Sequence, residues 1–138
     1  MTKTKWWLRV VGVFYLLLTL MNLYGLFINS QLYTEVLPVP LAADPLAVRA
    51  FSDAWLVFVF ELGVLGAMML YASRDPARGG VLVLTIIWAE VFRGIVADAL
   101  WILRGYSAAS YIPFIVLHGI IIATGIVFLR QESAQAAR

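Results

Sequence analysis

Cysteine is absent from the 138 residues. That excludes disulfides, thiolate metal sites, iron–sulfur clusters and cysteine nucleophiles. Charge is scarce as well: 13% of residues are Asp, Glu, Lys or Arg, against about a quarter in a soluble domain. A single histidine, His118, is present, and there is no Glu-x-x-His motif, so the sequence supplies no ligand set for a metal. Gly-rich phosphate loops, Ser–His–Asp arrangements and zincin motifs are missing. Gly79-Gly80 reads as a turn. The formal net charge is +2, and the basic residues are spread along the chain, so nucleic acid is an unsuitable partner. There is no internal repeat and no low-complexity linker. Nothing implies a cofactor.

What fills the chain is apolar. Hydrophobic residues make up 63% of it, and the mean hydropathy is +0.92, a composition found in membrane proteins. Four apolar runs stand out, at residues 6–28, 53–71, 80–103 and 111–129. Each is near the ~20 residues a helix needs to cross a bilayer core. They are continuous, not alternating, so they predict helices and not barrel strands. The expected fold is all-α: an integral-membrane bundle of four transmembrane helices in one domain, residues 1–138. Pro38, Pro40 and Asp44-Pro45 break the first connection, and Ser73 to Pro76 with Gly79-Gly80 break the second. Arg104-Gly105 ends the third span. Asp53 is expected to cap the second span and Ser110 the fourth, with Pro113 in that helix's first turn.

Direction follows from the basic residues. Lys3, Lys5, Arg9, Arg74, Arg78, Arg130 and Arg138 fall on one side of the spans, and Arg49 and Arg104 on the other. The positive-inside rule then puts both termini in the cytoplasm. The first span is too long for a ~7–15-residue signal-peptide core and lacks a small-x-small site, so it is expected to be a retained anchor. Trp6, Trp7, Tyr24, Tyr33, Trp101, Tyr106 and Tyr111 lie near span ends, where interfacial aromatics collect.

The polar residues inside these runs carry the functional signal. A charge at the bilayer centre costs ~2.5–3.5 kcal/mol on insertion scales. Measured from the external end at ~1.5 Å per residue, Asp98 lies ~8 Å deep, Asn22 ~9 Å, Glu61 and His118 ~12 Å, Arg93 ~15 Å and Glu90 ~20 Å. All six occupy or adjoin the outer half, and every span contributes. Glu90, Arg93, Gly94, Ala97 and Trp101 share one face of a regular helix, and Glu90 stands one turn before Arg93, a favourable pairing. Asp98 falls off that face and needs a partner elsewhere, such as His118 or solvent. Glu61 has no partner on its own helix, so it is either protonated or paired with Arg93 or His118. Tyr15, Asn22 and Asn29 recur every seven residues on span one, as do Tyr111, His118 and Gly125 on span four. Gly63 with Ala67, and Gly119 with Ala123, are positioned for close helix contact.

These residues define a polar pocket toward the external face, lined by Asn22, Glu61, Glu90, Arg93, Asp98, Trp101 and His118. Glu61, Asp98 and His118 are the acid–base candidates. Against this stands the plain alternative that paired charges simply lock the helices together.

The stretches WWLRVVGVFYLL, DAWLVFVFELGVLGA, EVFRGIVADALWILRG and IVLHGIIIATG, the last followed by Leu129-Arg130, resemble the BphX-like family of small four-helix membrane proteins. That resemblance covers nearly the whole chain. It implies a bacterial inner-membrane setting, with a hint of hydrophobic-compound metabolism and no settled biochemical activity. A weaker likeness is to the EXPERA group, whose intramembrane acids do proton chemistry, although the single histidine and short loops depart from its pattern. The expected function is binding of a small amphipathic, aromatic or lipid-like molecule, or service as an accessory subunit of a homo-oligomer or larger complex in the lipid bilayer. A membrane-embedded acid–base enzyme and a small proton-coupled transporter are the alternatives.

Overall fold

The computed structural model describes residues 3–76 and 79–136, and Arg78 and Arg138 of the basic set lie outside them. The element order is α1 (Lys3–Phe27), α2 (Gln31–Thr34), α3 (Val39–Ala42), α4 (Pro45–Ala72), α5 (Gly80–Ala89), a π-helical segment (Glu90–Val96), α6 (Ala97–Leu103) and α7 (Ala108–Ala136). Among the described residues every regular element is a helix. The segment from α5 to α6 runs as one rod, and with α1, α4 and α7 it makes four helices long and apolar enough to cross a membrane.

The helix ends are set by local chemistry, and two differ from expectation. α4 starts eight residues before Asp53. Asp44 caps it, its Oδ1 accepting from the Leu46 N–H at 2.9 Å, and Pro45 occupies the first helical position. A capping side chain followed by proline is a stronger start signal than an acid alone. Asp53 is therefore an exposed mid-helix residue, 4.0 Å from Arg49. α7 starts at Ala108. Ser110 lies inside it, donating to Ser107 Oγ at 3.1 Å, and Pro113 stands beyond the first turn.

The end of α6 is as expected. Gly105 adopts φ +88°, a left-handed conformation that costs glycine little. Its N–H reaches Ile102 O at 3.1 Å, and the Tyr106 N–H reaches Trp101 O at 3.1 Å, a Schellman closure.

The core joins all four long helices through Leu8, Val11, Tyr15, Leu62, Met69, Val83, Ile86 and Ile121. α1 and α4 meet at glycine. A Cβ on Gly12 would lie 3.0 Å from Gly66 O, and a Cβ on Gly66 would lie 3.0 Å from Gly12 O. Small residues let backbones approach this closely. Gly63 faces Thr19 across the same crossing. Gly119, expected at a close contact, has open space around it. Gly125 is the tight position on α7, against Trp7 and Ile87. Trp7, expected among the interfacial aromatics, is buried within the bundle and donates its indole N–H to Thr124 Oγ1 at 3.0 Å. Trp6 and Tyr24 are exposed.

Outside the bundle, Val10, Leu17, Val57, Phe60, Val64, Val81, Trp88 and Phe92 are exposed, an apolar exterior far beyond what a water-soluble monomer carries. At one end of the bundle Lys3 Nζ donates to Gln131 Oε1 at 3.0 Å, and Arg9 Nε donates to Ser73 Oγ at 3.4 Å. The basic start of α1 therefore shares one end of the structure with the C-terminal ends of α4 and α7.

Replacing Gly66 with valine should overpack the α1–α4 crossing and destabilise the fold by ~1–3 kcal/mol. Gly119→Ala should be neutral or mildly stabilising. Unfolding in mixed detergent checks both, and equal losses would contradict the asymmetry.

Candidate functional site

The polar residues of the third rod are arranged by its π-helical turn. The Ala97 N–H reaches back to Phe92 O, five residues earlier, the hydrogen-bond register of a π-turn. In a regular α-helix, Glu90 and Asp98 would be ~80° apart around the axis. The wider turn absorbs one residue, so the two carboxyls face the same side two turns apart. Both reach His118 on α7: Glu90 Oε2 contacts Nδ1, and Asp98 Oδ2 lies 3.5 Å from Nε2.

Gly94 makes the approach of that ring feasible. It sits inside the π-helical segment, and a Cβ there would fall 2.6 Å from His118 Cγ. Any side chain at 94 would drive the imidazole away. The rod therefore holds the ring between its two carboxyls and over a bare stretch of its own backbone.

Glu90 is 2% exposed, and its second oxygen accepts from the Tyr15 hydroxyl of α1. Tyr15 itself is 1% exposed and accepts a hydrogen bond from Arg93 Nη2 at 3.1 Å. Arg93 thus meets Glu90 through the tyrosine oxygen. A direct Glu90–Arg93 ion pair, expected from helical spacing, is not among the described ones. Arg93 Nη1 instead points to Glu61 of α4 at 3.7 Å, and its guanidinium lies over the rings of Tyr15 and Phe58. The π-turn accounts for the change, since residues three apart no longer stack as they do on an α-helix.

Glu61 is therefore paired, with its side chain 61% exposed on the outside of the bundle, and it does not line the cavity described next. Asn22 works at another level. It accepts from the Trp55 indole N–H at 2.9 Å and donates to Leu18 O at 2.7 Å.

Above these groups lies a cavity of about 300 Å³. Glu90, Arg93, Asp98 and His118 form its polar side, and Trp55, Phe58, Trp101, Tyr111 and Phe114 form much of its apolar wall. The ring of Trp101 sits 5.6 Å from that of Trp55 and 5.3 Å from that of Tyr111, within the range of favourable aromatic pairs. Leu32 and Val36, from the connection after α1, reach its upper end. Of the residues predicted for the pocket, Asn22, Glu90, Arg93, Asp98, Trp101 and His118 line it, and Glu61 touches it only through Arg93.

Sequence reasoning missed Tyr15 and Trp55. The seven-residue spacing of Tyr15 with Asn22 and Asn29 is the sequence signal that points to it. Trp55 stood near the middle of no expected polar face. Among the described residues no group of three or more His, Asp or Glu could hold a metal ion.

Four long apolar helices around an internal layer of charge, with an aromatic cavity on one side of it, define the class of protein. The model of the BphX-like family matches residues 1–134. An uncharacterised BphX-like protein of Burkholderia cepacia is 32% identical over 104 residues, covering 73% of this chain and 68% of its own. Another, from Paraburkholderia xenovorans, matches to the same extent. The chain belongs to the BphX-like family. No solved structure matches it.

Tyr15→Phe should leave a desolvated carboxyl oxygen of Glu90 without its donor. A hydrogen bond to a charged group is worth ~1.5–3 kcal/mol, so stability in detergent should fall by about that much. Thr85→Val, on the exposed outer surface of α5, should change stability little, and an equal loss there would detach the Tyr15 effect from Glu90.

Proposed function

We propose that this chain is a multi-pass protein of the bacterial inner membrane that binds a small aromatic or amphipathic molecule in its cavity. The four long apolar helices and their exposed aliphatic exterior support insertion. Both termini are assigned to the cytoplasm, supported by the convergence of Lys3, Arg9, Ser73 and Gln131 at one end and the positive-inside rule. The cavity then opens in the outer half of the membrane.

One observation carries the binding reading: an aromatic-walled space of about 300 Å³ with Glu90, Arg93, Asp98 and His118 in its lining. Ligand pockets begin at ~300 Å³ and are mostly apolar with a few convergent polar groups. A dry cavity of ~150 Å³ takes one benzene. The space therefore suits one substituted ring or a compact bicycle, with its polar substituent against Asp98, His118 and Arg93.

A second reading, acid–base chemistry on the bound molecule, is favoured by the imidazole of His118 standing between two carboxyls. General acid–base work requires groups so placed. Recovering a bound molecule chemically unchanged after long incubation would decide against it. Passage of protons through a single copy is disfavoured, because Leu8, Val11, Val83, Ile86 and Ile121 pack an apolar core below the charges.

Binding should show as stabilisation. A small aromatic such as indole, at 100 times its dissociation constant, should add ~2.7 kcal/mol to the unfolding free energy. Ser110→Phe, which places a ring in the cavity, should abolish that gain while the variant stays folded. Stabilisation that survives in Ser110→Phe would place the binding elsewhere.

A further inference from the structure

Resting on the binding reading just given, we infer that the cavity's occupant is a small aromatic amine, held as its ammonium ion at the carboxyl group of Asp98. Two independent observations lead there.

The first is an unused acceptor. Asp98 is 5% exposed and lines the cavity. Its Oδ2 has no hydrogen-bond partner. The nearest base, His118 Nε2, is 3.5 Å away, longer than the ~2.7–3.2 Å of a formed N–H···O bond. Buried carboxyl oxygens are costly to leave unmatched. An ammonium group offers three donors and a charge of the right sign.

The second is the balance of charge. Three carboxyls, Glu61, Glu90 and Asp98, face two bases, Arg93 and His118. By formal charge alone, with His118 counted as a cation, the set is one positive charge short. Arg93 donates to the Tyr15 hydroxyl and lies 3.7 Å from Glu61, although its Nη1 makes no hydrogen bond, and Glu90 is engaged by Tyr15 and His118. Of the two carboxyls that contact the imidazole and line the cavity, Asp98 is the less fully matched, so the shortfall falls on it. An anionic ligand would deepen the imbalance. A neutral apolar ligand would leave the Asp98 carboxyl uncompensated.

The walls fit the same class of ligand. Trp101 stands one turn beyond Asp98 on α6, with Trp55 and Tyr111 beside it. Aromatic faces stabilise organic cations most strongly where water is excluded, and the rest of the cavity can take the ligand's own ring.

Calorimetry on the whole protein in nanodiscs, with empty-nanodisc heats subtracted, tests this with four probes of nearly equal size. Phenethylamine is the cation, 2-phenylethanol the neutral donor, propylbenzene the neutral apolar isostere and 3-phenylpropanoate the anion. On the wild-type protein phenethylamine should bind at least about tenfold tighter than each of the others. Asp98→Asn should remove that preference, and Asp98→Glu should keep it. Equal binding of phenethylamine and 2-phenylethanol, or tightest binding of the anion, overturns the assignment of a cation and leaves the cavity as a binding site. Binding of no probe overturns both. The wild-type ranking decides by itself if Asp98→Asn fails to fold.

Discussion

The structure depends on one constraint: a carboxyl at Glu90, almost completely removed from solvent, must be matched by side chains from other helices. Tyr15 on α1 supplies one donor and His118 on α7 engages the other oxygen. Arg93 then adds α4, because it binds the Tyr15 hydroxyl with one nitrogen and reaches Glu61 with another. A single buried acid thereby couples all four long helices. Hydrophobic contact between helices lacks direction and specifies rotation poorly, whereas a chain of charge-assisted hydrogen bonds fixes each helix about its own axis.

The same constraint explains the irregular backbone of the third rod. A regular helix could present Glu90 or Asp98 to the imidazole, but not both. The π-turn admits both at the cost of local hydrogen-bond geometry. Gly94 falls inside the irregular segment and leaves room for the ring. These two features are useful only together: without the extra residue Asp98 turns away, and without the glycine His118 cannot approach. Below this level the packing changes character. Gly12 against Gly66, and Gly125 against Trp7 and Ile87, bring helices into close contact. Above it, the aromatic side chains of Trp55, Trp101 and Tyr111 stand around open space.

The sequence revealed what depends on hydropathy and depth. The four long helices, the proline and glycine breaks and the gathering of polar residues at one level were all readable, because each follows from composition along a single helix. The choice of partner was not. Asp98 was seen to lack a partner on its own helix, and His118 was among the alternatives, since depth alone put the two near each other. The Glu90–Arg93 pair was inferred from regular α-helical spacing, which the π-turn breaks, and no residue pattern announces such a turn in advance. Glu61 was singled out because it lacked a neighbour on α4; its actual neighbour comes from another rod, and that requires knowing how the helices are rotated. Asp53 was given a cap's role because the apolar run begins there. The helix begins earlier, at Asp44-Pro45, where the backbone chemistry for starting one is complete.

A charge cluster that served only to lock helices would gain from being packed tightly. Desolvated ion pairs gain little over apolar packing of equal volume, and a neighbouring void forfeits contacts at ~24 cal/mol per Å³. At about 300 Å³, a sealed and empty space would forfeit up to ~7 kcal/mol on that scale. That is comparable to the whole stability of a small domain. The partly open side of the cavity lowers this figure but does not remove it. Larger side chains could have filled the region, yet Ser110 and Gly25 line it beside the aromatics. A fold under selection for rigidity alone would close such a space. In the binding reading proposed above, an occupant would supply the missing contacts, and Asp98, which lines the cavity beside His118, would set which end of that occupant is polar.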